Sequence, residues 1–165
     1  MTDQDSPLLC GFVGKHQSLV DKHFVDEMDD HTGLLKVHLM LEQILRDFCT
    51  RAVPNPDHLQ DARLSFKQIA LLARSLDPNQ SDVAPLWSAV NDLNAMRNAM
   101  AHELEPSESK FTKLQRTIIA AVDTHNGSSG EHDLGAALGY LCGMLSVHLH
   151  HGLDQRSQEG ADPVE

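Results

Sequence analysis

Arg97, Asn98 and His102 place three kinds of chemistry within six residues, Arg97-Asn98-Ala99-Met100-Ala101-His102. An imidazole with an ordinary pKa of about 6.5 is mostly neutral at pH 7 and can take a proton from a hydroxyl. A guanidinium is a planar fork of donors that fits phosphate oxygens. A carboxamide on the same face can orient the histidine or hydrogen-bond the phosphate. Such a set suits attack of a ribose 2′-OH on the adjacent phosphorus. That reaction needs a base for the hydroxyl proton, a cation for the charge growing on the phosphorane, and a group that fixes the phosphate. It yields a 2′,3′-cyclic phosphate and a 5′-hydroxyl, and it needs no metal.

The run lies late in a helix expected from about Asp82 to Leu104, with Ser81 as its cap and Pro85 tolerated in its first turn. The apolar stripe of that helix is Leu86, Val90, Leu93, then position 97, then Met100 and Leu104. Position 97 is arginine, which is costly on such a stripe unless a carboxylate or a ligand phosphate meets it. Asn94, Asn98 and His102 form a second stripe, at i, i+4 and i+8, where a merely solvated face would carry Glu and Lys. Asn94 therefore counts as a supporting residue. So does Glu42, which sits on an otherwise apolar stretch of an earlier helix with His38 one turn before it. Glu42 could hold Arg97, or form an i,i+4 surface pair with Arg46; both readings stand open.

The run resembles the RNxxxH motif of HEPN domains, small all-α domains of which many are metal-independent endoribonucleases in toxin–antitoxin and phage-defence systems. The order of elements is similar as well. A long apolar helix ending Leu41-Glu42-Gln43-Ile44-Leu45-Arg46 is followed by a Pro-interrupted loop, another helix and the motif helix, over about residues 16 to 150. The resemblance implies an RNA substrate, no cofactor, and a homodimer in which two motif helices face one cleft. One histidine could then act as base and the other as acid. It also allows a protein antitoxin as partner. Some members carry Tyr two residues after the histidine, whereas Glu103 and Leu104 follow here, so the Tyr-bearing toxin subgroup and its control by modification of that Tyr are not implied. A different class stays open beside the enzyme: a non-catalytic HEPN-like module that binds RNA, nucleotide or a protein partner.

Charge bears on that choice. With 13 basic and 24 acidic residues the chain carries a formal charge of −11, which excludes an overall basic nucleic-acid coat and a polybasic membrane anchor. RNA binding would have to be local and strongly salt-dependent. Arg63, Lys67 and Arg74 fall on nearly one face of the third expected helix, and Lys110, Lys113 and Arg116 lie on the fifth. Either group could line an RNA cleft or simply be a solvated face.

The 165 residues fit one domain, and at 41% hydrophobic but only 4% aromatic its core must rest on Leu, Val, Ile, Met and Ala, which favours helix over strand. Pro, Gly and Asn divide the chain into about six helical segments, an all-α single-domain bundle of about five to six helices. The first runs around His16 to Met28; the second, capped by Thr32 or Asp30, is central and runs to about Val53. The third follows Asn55-Pro56 and carries apolar residues from Leu59 to Leu76. The fifth carries Phe111, Leu114, Ile118 and Val122, and the sixth runs from about Glu131 to His151 after the loop His125 to Gly130. The domain is expected over 16–153, with 1–15 a flexible segment and 154–165 a polar, frayed tail.

Gly135, Gly139 and Gly143 cost helix stability, which close approach of another helix, inside the domain or across a dimer seam, would offset. His148, His150 and His151 read as a helix end, since no nearby cysteine or carboxylate completes a metal site. Cys10, Cys49 and Cys142 are scattered and odd in number, as expected of reduced thiols in a cytoplasmic protein. No secretory signal is evident in Met1 to Pro7, and the longest uncharged run, Leu134 to Leu149, is short for a membrane span.

Overall fold

The computed structural model describes residues 7–24, 29–79, 83–103, 107–126 and 134–159. Ser81, Leu104 and most of the loop after His125 lie outside them. The described residues form seven helices and no strand: α1 (Pro7–His23), α2 (Asp30–Ala52), α3 (Pro56–Asp61), α4 (Phe66–Leu76), α5 (Ala84–His102), α6 (Glu108–Asn126) and α7 (Leu134–Glu159). The all-α expectation holds.

α2 is the axis of the bundle and packs against α1, α3, α4, α5 and α7. Its N-cap is Asp29, whose carboxylate accepts from Thr32 N at 3.0 Å, just ahead of the expected caps. Leu34, Val37, Leu41, Ile44, Leu45 and Phe48 are buried along it, as a helix apolar around much of its circumference should be. The outward edge of that circumference is not covered. Leu35 and Leu39 stand 45% and 66% exposed.

α1 starts at Pro7, so residues 7–15 belong to the domain and not to a preceding segment. Phe12 is 1% exposed and meets the His16 ring edge-on at 4.5 Å. The periodicity was hidden because a core position of α1 is polar. His16 is buried, its Nε2–H donates to Asp47 Oδ2 at 3.1 Å, and Ser146 Oγ donates to its Nδ1 at 3.0 Å. One imidazole thus ties α1, α2 and α7 together. Ser, His and Asp are the residue types of a hydrolase, but Ser146 is 1% exposed and no substrate can reach its hydroxyl.

Burial pulls the His16 pKa below its ordinary value, with Lys15 and Arg51 reinforcing it and the Asp47 hydrogen bond and charge opposing it. An unfolded histidine titrates near 6.5. Below that pH the unfolded chain therefore takes up a proton that the folded chain still refuses, and stability falls as the pH drops. Urea midpoints taken between pH 8 and pH 5 should hold level above about 6.5 and decline beneath it. His16→Gln should flatten the decline.

The third expected helix is two. α3 ends at Asp61, Arg63 takes φ 46°, and Ser65 caps α4 in a reciprocal capping box with Gln68. A left-handed residue followed by a cap resets the helix axis, which periodicity alone does not reveal. α7 is also longer than expected. It runs past His151 to Glu159, with Asn79 Nδ2 donating to Gln155 Oε1 at 2.8 Å and Arg156 Nη1 to the Ala52 carbonyl at 3.1 Å, so residues 154–159 are helix. Gly152 makes a close approach to the α4–α5 connection, where a Cβ would stand 3.1 Å from Pro78 Cδ.

Gly139 and Gly143 are different. A Cβ on Gly143 would meet nothing within 4 Å, and one on Gly139 only Val20 Cγ1 at 4.0 Å. Packing against the described residues does not explain them. Gly143→Ala should therefore stabilise the folded monomer by about 0.8–1 kcal/mol, the helix propensity difference, as read from urea unfolding.

Candidate functional site

The motif helix enters the bundle through Pro85 in its first turn, where the missing N–H costs nothing. Leu86, Trp87, Val90 and Leu93 are buried along its first half. The buried line then runs on through Met96, with Ala99 buried and Met100 partly so, and not through position 97. Contacts on two sides fix this rotation. On the α6 side, Asp92 accepts from Lys113 Nζ and Thr117 Oγ1, both at 2.9 Å. On the α2 side, Asn94 Oδ1 lies 3.4 Å from His38 Nε2.

Arg97 consequently does not point inward, as the apolar stripe had suggested. It is exposed, and its Nη1 donates to Asn98 Oδ1 at 3.3 Å. Among the described residues no carboxylate lies within ion-pair distance of it. Glu42 does not hold it either. Both Nε and Nη2 of Arg46 donate to Glu42 Oε1, at 3.0 and 2.7 Å, so the i,i+4 pair is the one that forms. Asn98 and His102 are exposed as well, and His102 is the last residue of α5. The face of α5 from Asn94 to His102 is therefore an outward row of amide, guanidinium, amide and imidazole.

His38 belongs to this face, and sequence reasoning named it only as a neighbour of Glu42. It is 5% exposed, its ring stacks on Phe66 at 4.1 Å, and its Nε2–H donates to Asn94. Burial is the main reason that its pKa lies below the ordinary value. The Arg97 charge pushes the same way, and the Asn94 bond and Glu42 oppose. The signal was present in the sequence, as a histidine on the apolar side of a helix otherwise filled by Leu, Val and Met.

The basic groups divide. Lys110 pairs with Glu103 and Lys113 with Asp92, while Arg116 is exposed on the same helix. Lys67 and Arg74 are exposed on α4, but Arg63 lies in the α3–α4 connection and does not share their helix. Among the described residues no three His, Cys, Asp or Glu side chains converge to hold a metal ion. His148 instead meets the fully buried Asp77 carboxylate at 2.8 Å, and His150 faces Asp154 at 3.4 Å. Cys49 and Cys142 are buried thiols whose pKa values burial pushes up to about 12. No helix among the described residues is long and apolar enough to cross a membrane.

Comparison of the chain with protein-family models, with curated proteins and with solved structures finds no match.

Proposed function

We propose that this chain is a metal-independent endoribonuclease of HEPN type, acting in the cytoplasm in a toxin or phage-defence role. It cleaves RNA at a site where two α5 helices meet in a homodimer. The observation that supports this reading is the outward guanidinium of Arg97, steadied by Asn98 and unclaimed by any described carboxylate, beside an exposed His102. A guanidinium in that condition is free to take phosphate oxygens. His102 of one copy accepts the 2′-OH proton, and His102 of the second copy protonates the departing 5′-oxygen, leaving a 2′,3′-cyclic phosphate and a 5′-hydroxyl. Leu35 and Leu39, exposed on α2 beside His38, offer apolar surface that such a contact would cover.

A second reading, a non-catalytic module that binds RNA, nucleotide or protein, draws on the pairing of Lys110 and Lys113 with acids, which withdraws these two cations from an RNA cleft. Incubation with total RNA in EDTA at low salt separates the two. Cleavage leaving cyclic-phosphate ends supports the enzyme. Binding without cleavage supports the module, and a protein antitoxin is then one partner to seek.

A further inference from the structure

Asn94 and His38 form a unit that the motif residues do not account for. We infer that Asn94 is an additional RNA-phosphate ligand of the α5 face, and that His38 is the positioning residue that turns its amide outward. The inference rests on the proposed RNA site. An asparagine amide presents an acceptor on one side and two donors on the other, and rotation by half a turn exchanges them. Here Oδ1 is engaged by the Nε2–H of His38. Nothing among the described residues accepts from Nδ2, and Asn94 is only half-buried, so the donors are left for a ligand.

The positions of the neighbours agree. Arg97 and Asn98 follow Asn94 at i+3 and i+4 and so lie on the same side of α5. Arg97 is near enough to His38 for its charge to act on it. An amide N–H beside a guanidinium donates to the same kind of partner, an oxyanion. His38 cannot perform that task itself, because it is 5% exposed and held against the Phe66 ring. Its role is to hold the flip state. With the ring donating below the surface, the amide turns its own donors outward.

The test uses the full chain in the His102→Ala background, in EDTA and low salt, with a fluorescent single-stranded RNA oligonucleotide whose binding is followed by anisotropy. Asn94→Ala should weaken binding about tenfold, the loss of one hydrogen bond to a charged oxygen. His38→Leu, which keeps an apolar body against Phe66, should weaken it several-fold. His38→Gln, whose amide nitrogen can stand where Nε2 stands, should bind within about twofold of the parent. His38→Leu combined with Asn94→Ala should bind no more weakly than Asn94→Ala alone, because His38 acts only through Asn94. Thermal unfolding of each variant verifies that a folded protein is being measured.

Equal binding by the parent and Asn94→Ala would overturn the inference. So would additive losses in the double variant, failure of Gln to restore what Leu removes, or a parent that does not bind the oligonucleotide. Cleavage by the native chain reports separately on the endoribonuclease reading. A chain that cleaves while Asn94 and His38 prove silent retains that function and loses this inference. One that binds in the expected pattern without cleaving does the reverse.

Discussion

His102→Ala is expected to lower the rate of RNA cleavage in EDTA by about 10²–10⁴-fold, the usual contribution of a positioned acid–base group. Both proton transfers would pass through copies of this residue, so a homodimer loses both at once. Arg97→Ala should cost about 10²–10³-fold, since it removes the donor fork facing the charge that develops in the transition state. Arg97→Lys should not restore the rate, because an ammonium cannot make two parallel bonds to a phosphate. Both positions are exposed, so the variants should unfold at the native urea midpoint, and loss of rate can be assigned to chemistry. Initial rates on a short RNA, with the ends identified, decide the matter. Equal rates from the native chain and both variants would mean that the activity comes from a contaminant.

The largest effect on stability is expected at Asp77. Its carboxylate is fully buried between the end of α4 and the start of α5, where it accepts from His148 Nε2 at 2.8 Å, Asn79 N at 3.0 Å and Trp87 Nε1 at 3.3 Å. Burial alone would push its pKa up. The hydrogen bonds from His148, Asn79 and Trp87 and the His148 charge outweigh that, and the carboxyl sits below its ordinary 3.8. Asp77→Ala strands a buried indole N–H and an imidazole together, and should cost about 3–5 kcal/mol. For a chain of this size that is a fall in Tm of roughly 6–20 °C. Asp77→Asn should cost less, since its oxygen can still accept. The native contribution of Asp77 should be present above about pH 3.8 and fade on further acidification, because the unfolded carboxyl takes its proton first. A variant as stable as the native chain would show that α4, α5 and α7 are held without this carboxylate.

How legible was all this in the amino acids? Helix was legible from composition and period; α6 buries Leu114, Ile118 and Val122 as its stripe requires, whereas α2 buries most of its apolar residues but leaves Leu35 and Leu39 exposed. Errors came where a polar residue took a core place or a backbone angle reset an axis. His16 concealed the first turns of α1, and the left-handed Arg63 split one apolar stripe into two helices. The site was half legible. Asn94, Asn98 and His102 share a face as their spacing requires, but a stripe drawn through position 97 turned Arg97 the wrong way. The buried line runs through Met96, three residues after Leu93 and itself apolar, so the spacing within α5 offered the right position beside the wrong one. Glu42 had two partners on paper and took the nearer one, which needs no tertiary contact.

The staple at His16 has a consequence for how the chain is made. Its hydroxyl partner, Ser146, lies 130 residues further on, and α1 packs against α7. On a ribosome α1 emerges long before α7 exists, so Phe12 and the face around it wait uncovered while five other helices are synthesised. α2 can shelter α1 only in part. The described bundle is therefore closed by α7, and a nascent chain halted before it exposes the apolar face of α1. If the proposed cleavage requires the finished bundle, no fragment made during synthesis should cut RNA.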